Sequence, residues 1–136
     1  MSAEAPTRAV YLDSSAIVKL VVREPETKAL LAFLEPRHVR VTSALARVEV
    51  VRAVRRHGRS ATARATAMVD ALSQLAVDDA LLDSAAAIDA DQLRSLDAIH
   101  LESAQQLEGE LDVFVTYDER MLAAARGLGL PVSLPT

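Results

Sequence analysis

Cysteine is absent from the 136 residues. No disulfide, thiolate metal site or thiol nucleophile is therefore available. Tryptophan is absent too, and the remaining aromatics are Tyr11, Phe33, Phe114 and Tyr117. So few rings argue against recognition by several stacked aromatic platforms. Glycine (four) and proline (five) are sparse, and no linker, repeat or low-complexity stretch divides the chain. No apolar run approaches the roughly 18 residues a membrane span needs. Met1 to Thr7 lack the charged-then-apolar order of a signal peptide. The expectation is one soluble, cytoplasmic domain over residues 1–136, with no membrane partner.

What is present is 51% hydrophobic and 25% charged, a globular rather than a disordered balance. Arginine outnumbers lysine 13 to 2, and alanine supplies 25 residues; that pairing carries no functional weight. The net charge of −4 excludes a uniformly basic coat for nucleic acid. It also hides a split. Residues 37–64 hold eight arginines and one acid, Glu49, whereas residues 65–118 hold twelve acids and one base, Arg94. The arginine block suits phosphate contacts; a solvated helix face or a protein-binding surface are the alternatives.

Residues 8–13 read as a buried strand ending on an acid. Ser14 and Ser15 offer N-cap hydroxyls to a helix over 15–22. Pro25 opens a second helix, 25–35. Residues 38–42 read as a strand and 43–57 as a helix closed by Gly58. Ser60 is expected to cap a helix reaching about Leu75, followed by a strand over 75–79 and a helix over 80–90. Ser95 and Asp97 begin a helix that Gly109 stops. A strand over 111–116, a helix opened by Asp118 and a short strand over 130–134 complete the chain. Such alternation implies an α/β fold with a parallel sheet and helices on both faces.

Sites in such sheets lie beyond the carboxyl ends of the strands. Asp13 ends the first strand and Asp118 follows the fourth, so both can face one crevice. Asp97 sits at a helix N-terminus. Glu49 lies within a helix beside Val48, Val50 and Val51, where burying a lone carboxylate is costly. Each acid has a plainer reading. Asp97 and Asp118 can cap helices, Glu49 can pair with Arg52 or Arg56, and Asp13 can be a turn residue. Together, two strand-end acids in an α/β chain point further. Clustered carboxylates repel, and a divalent cation relieves that repulsion. Hard oxygen ligands without cysteine favour Mg²⁺ or Mn²⁺ over Zn²⁺. The pattern indicates metal-dependent phosphate chemistry, hydrolase or transferase.

The segments YLDSSAIVKL (11–20), TSALARVEVVRAVRR (42–56), LRSLDAIHLESA (93–104) and VFVTYDERMLAAARGLGLPV (113–132) resemble the PilT N-terminus (PIN) domain family. They look most like its VapC branch, the ribonuclease toxins of type II toxin–antitoxin pairs. The resemblance runs from about Val10 to Pro135. It implies a three-layer α/β/α fold with about five parallel strands, and Mg²⁺- or Mn²⁺-dependent endoribonuclease activity through metal-activated water. It carries over Asp13, Glu49, Asp97 and Asp118 as a catalytic quartet, with Asp13, Asp97 and Asp118 as metal ligands and Ser15 and Thr116 in support. Arg47, Arg52, Arg55, Arg56 and Arg59 are candidates for RNA phosphate contacts. His100, one near-turn from Asp97, is assigned a packing or hydrogen-bonding role, with general base as the alternative. Glu102 stands where the family often has a small residue, and should face away from the metal. An RNA substrate, a cognate VapB-like antitoxin and a homodimer are also implied.

Three other readings compete. A haloacid-dehalogenase-type phosphotransferase needs a second Asp two residues after the first, where Ser15 stands. A receiver domain needs a late lysine, and Lys19 and Lys28 are both early. A non-catalytic RNA- or protein-binding module on a PIN scaffold remains the alternative.

Overall fold

The computed structural model describes residues 8–90 and 92–136; the reading of Met1 to Thr7 lies outside them. β1 (Ala9–Leu12) leads into α1 (Ser14–Val21) and α2 (Thr27–Leu34). Then come β2 (Arg40–Ser43), α3 (Ala46–Val54), α4 (Arg59–Asp70), β3 (Ser73–Leu75) and α5 (Asp79–Ala86). The chain ends with α6 (Ser95–Gln105), β4 (Leu111–Val115), α7 (Glu119–Gly127) and β5 (Val132–Ser133). The five strands make one sheet in the order β3-β2-β1-β4-β5, and every pairing is parallel.

Alternation along β1 divides the core. Val10 and Leu12 join residues of α1 to α4 on one face of the sheet. Ala9 and Tyr11 join residues of α6 and α7 on the other. All four are buried, as a strand covered on both faces requires. The layers are therefore helix, sheet and helix, with α5 lying against α6. Among the described residues no helix is long and apolar enough to cross a membrane.

From β1 the sheet grows outward through β2 and β3; β4 then starts on the other side of β1. The carboxyl ends of β1 and β4 thus flank the point where strand order reverses. A crevice opens at such a point in parallel sheets.

Several element ends differ from the sequence reading. The first helix is capped by Asp13, whose side chain accepts from the Ala16 amide, not by Ser14 or Ser15. The second begins at Thr27 rather than Pro25. The Thr27 hydroxyl accepts from the Glu24 amide and donates to the Lys19 carbonyl, which fixes the turn ahead of the helix. Gly58, at φ 95°, precedes Arg59 as the cap of α4, a conformation that favours glycine. Ser60 instead accepts a bond from Arg64. That helix ends at Asp70, and Ser73–Leu75 pair with Val41–Ser43 as the edge strand, earlier than the strand expected over 75–79. Gly109 does not stop α6, which ends at Gln105; it lies in a 3-10 turn over Glu108–Glu110.

Candidate active site

Asp13 emerges from β1 with extended backbone and caps α1. Its Oδ1 accepts from the Ala16 amide at 3.0 Å and from Ser15 Oγ at 2.6 Å. Its Oδ2 accepts from Thr116 Oγ1 at 2.5 Å. Thr116 directly follows β4, so Asp13 and Thr116 tie the two central strand ends together. Ser15 Oγ also accepts from the Tyr117 amide, and Thr116 Oγ1 from the Asp118 amide. Asp13 is only 2% exposed. Burial raises its pKa above the usual Asp value, against the opposing effects of His100, Ser15, Thr116 and the Ala16 amide.

Glu49 comes from α3, whose buried stripe is Ala46, Val50 and Val54. Glu49 stands one residue off that stripe and is half-buried; Val48, expected to help bury it, is 59% exposed. Its Oε1 accepts from Ser14 Oγ at 2.7 Å and from His100 Nε2 at 2.6 Å. Burial alone would raise its pKa, but the bonds from His100 and Ser14 and the imidazole's charge outweigh it, and the carboxyl sits below its usual range. Asp97, in the first turn of α6, shows the opposite balance. Burial and then the nearby Asp118 raise its pKa. Asp118 caps α7, with Oδ1 accepting from the amides of Arg120 (2.9 Å) and Met121 (3.0 Å).

These four acids line a single cleft of about 160 Å³ together with Ser14, Ser15, His100 and Met121. Thr116 braces Asp13 from behind the wall. A larger groove, about 480 Å³, is lined by Asp89, Ala90, Gln92 and Leu93 on one side and by α7 on the other, and none of the four acids lines it. Glu102, on α6, does not line the cleft. The five arginines are all exposed and none lines the cleft. Arg47 sits apart, beside Thr66, Val69 and Asp70 near the end of α4, whereas Arg55, Arg56 and Arg59 flank its start.

Sequence reasoning did not assign Ser14 or Tyr11 to the site, and gave His100 a place in it only as the alternative general base. The signals were local. Tyr11 is two residues before Asp13, the same-side spacing of a strand, and His100 is three after Asp97, the same-face spacing of a helix.

Among the described residues no three His, Asp or Glu side chains stand close enough to form a ready-made metal cage. The donor set nonetheless fits a hard cation. A carboxylate offers about four acceptor positions over two oxygens. The fold's own bonds occupy Oδ1 of Asp13, Oε1 of Glu49 and Oδ1 of Asp118, each accepting twice. Oδ2 of Asp13 accepts once. One oxygen of each group therefore retains acceptor capacity, and mutual repulsion between Asp97 and Asp118 rewards a positive ion.

A sequence model of the PIN domain matches residues 10–127. Ribonuclease VapC46 of Mycobacterium tuberculosis is 51% identical over 128 residues, covering 94% of this chain and 98% of that protein. Ribonuclease VapC47 of the same species is 40% identical over 131 residues, covering 93% and 96%. Among solved structures, M. tuberculosis VapC20, described as a Sarcin-Ricin loop cleaving toxin, is similar with a TM-score of 0.71 at 18% identity, over 85% of this chain and 94% of that one. A toxin–antitoxin complex from Klebsiella pneumoniae is similar with a TM-score of 0.71 at 18% identity, over 93% and 98%. At such identity the two structures bear on the fold, and they share its three-layer α/β/α arrangement.

Proposed function

The chain belongs to the PIN domain family, and we propose that it is a metal-dependent endoribonuclease toxin of the VapC type, from a type II toxin–antitoxin pair. One observation carries the reading. Asp13, Glu49, Asp97 and Asp118 come from four separate segments and line one cleft where the strand order reverses.

Asp13, Asp97 and Asp118 are the residues that would hold Mg²⁺ or Mn²⁺. When bound, such a cation supplies charge against the scissile phosphate and acidifies water. Ser15 and Thr116 hold the Asp13 carboxylate in place. Glu49, kept below the usual carboxyl range, is a weak proton acceptor. Its role is to orient the attacking water through Oε2, while the water's proton passes to solvent. Water attacks phosphorus in line and the bond to the 3′-oxygen breaks. The products carry a 5′-phosphate and a 3′-hydroxyl, and the RNA 2′-hydroxyl is not the nucleophile. Arg52, Arg55, Arg56 and Arg59 are exposed and suited to flanking phosphates; Arg47, placed apart, belongs less to that group. An RNA substrate and a VapB-like antitoxin belong to the same reading, supported by the VapC relatives; a cytoplasmic location and a homodimer complete it.

The test is incubation of purified, partner-free protein with total cellular RNA in Mg²⁺, in Mn²⁺ and in EDTA, beside Asp13→Asn. Discrete fragments with 5′-phosphate ends that require both metal and Asp13 are expected. Intact RNA in every lane, or equal cleavage by Asp13→Asn, contradicts the reading.

A further inference from the structure

The bonds that hold Glu49 lead out of the cleft and into the core. Beyond the imidazole Nε2 at 2.6 Å from Glu49 Oε1, the other ring nitrogen of His100, Nδ1, lies 2.7 Å from the Tyr11 hydroxyl. Tyr11 is fully buried and His100 is 2% exposed. The tyrosine ring stacks on Phe114, with centroids 5.2 Å apart and planes within 7°. It meets the imidazole edge-on at 5.9 Å. Neither Tyr11 nor His100 has a part in the reaction described above, yet both are fixed beside it.

The proton positions follow from the donors and acceptors. An ionised carboxylate only accepts, so Nε2 carries a hydrogen toward Glu49. The Tyr11 hydroxyl, 2.7 Å from Nδ1, fixes the ring from its other side. Ser14 Oγ, 3.2 Å from Nε2, donates its own proton to the same Glu49 oxygen.

We infer that His100 is a positioning residue for Glu49: Tyr11 orients the imidazole, the imidazole and Ser14 pin Oε1, and Oε2 is left to face the cleft. The arrangement resembles the outer partners that orient ligands at metal sites. It opposes a specific hazard, because a free Glu49 beside Asp13 and Asp97 would swing away or take up a proton. Its catalytic consequence rests on the ribonuclease reading; the hydrogen-bonded chain itself does not.

Two readouts separate these. In metal-free protein labelled with ¹⁵N-histidine, one imidazole N–H proton should resonate far downfield, as a short charge-assisted bond requires. It should move upfield in Glu49→Gln. Absence of that proton, or indifference to Glu49→Gln, overturns the inference whether or not the protein cleaves RNA. In cleavage assays, His100→Leu should lower kcat by about 10- to 100-fold with KM for RNA unchanged, the usual loss for an outer partner. His100→Gln, which keeps an N–H donor, should recover part of that loss. Tyr11→Phe, which removes one hydroxyl, should lose less than His100→Leu and serves if the latter does not fold. A folded His100→Leu or Tyr11→Phe with wild-type kcat overturns the proposal. A wild type that shows the downfield proton but cleaves nothing overturns the ribonuclease reading and leaves the positioning bond standing.

Discussion

At Asp13 a carboxylate that is 2% exposed meets three hydrogen-bond donors, and burial still wins over them. The folded carboxyl binds a proton more tightly than the unfolded chain does. In the metal-free protein this favours folding below the ordinary Asp range, and the benefit is lost as pH rises through the folded value. Asp97 acts in the same direction. Glu49 acts oppositely: its stabilisation is present above the ordinary Glu range and is lost as pH falls through its lowered value. Asp13→Asn removes the largest burial penalty and keeps a good helix cap. Its metal-free Tm should therefore be at or above that of wild type at neutral pH, with the gap widening as pH rises from about 4 until Asp13 is ionised in the folded protein. Thermal melts over that range check it; parallel curves would show that Asp13 does not titrate as described. The cost of an ionised buried acid is typical of a site shaped for a ligand rather than for stability.

At the scale of elements, the acids serve the fold and the chemistry unequally. Asp118 caps α7 through two amides, while Asp97 lies in the first turn of α6, whose cap residue is Arg94. Asp118→Ala should lose about 1 kcal/mol from the missing cap. Asp118→Ser should keep most of that stability. Both should weaken divalent-cation binding equally, since neither retains a carboxylate. Urea unfolding and metal titration of the pair decide this, and equal stability of the two variants would mean that the cap contributes nothing. The same elements explain what was legible beforehand. β1 and β4 are short apolar runs that stop on polar residues, so their ends, and with them Asp13 and Asp118, could be read directly. The three-layer fold followed from the alternation of strands and helices. The edge strand β3 could not be read, because Ser73–Leu75 is set by pairing with β2 rather than by its own pattern. Glu49's setting was half legible. Its β-branched neighbours signalled burial, but the bond from His100, 51 residues away in sequence, exists only in the fold.

Across the whole molecule, acid and base are segregated. The cleft gathers carboxylates, whereas Arg47, Arg52, Arg55, Arg56 and Arg59 lie on exposed surface of α3, the 3-10 turn Arg55–His57 and the start of α4. An RNA strand held by the arginines and cut at the acids should bind with strong salt dependence. Replacing Arg52, Arg55, Arg56 and Arg59 by glutamine should reduce the slope of log affinity against log salt by about 0.7 for each phosphate no longer neutralised. Fluorescence anisotropy with labelled RNA in EDTA, where cleavage is blocked, measures it; an unchanged slope would move the RNA to another face. The cleft itself is tested most directly by Mn²⁺ titration followed by electron paramagnetic resonance. Wild type should show saturable binding. Asp13→Asn and Asp97→Asn should each weaken it by more than the roughly 10- to 100-fold that loss of an outer partner costs, while Asp89→Asn, outside the cleft, should leave it unchanged. Wild-type affinity in folded Asp13→Asn and Asp97→Asn would contradict the assignment of Asp13, Asp97 and Asp118 to a cation site.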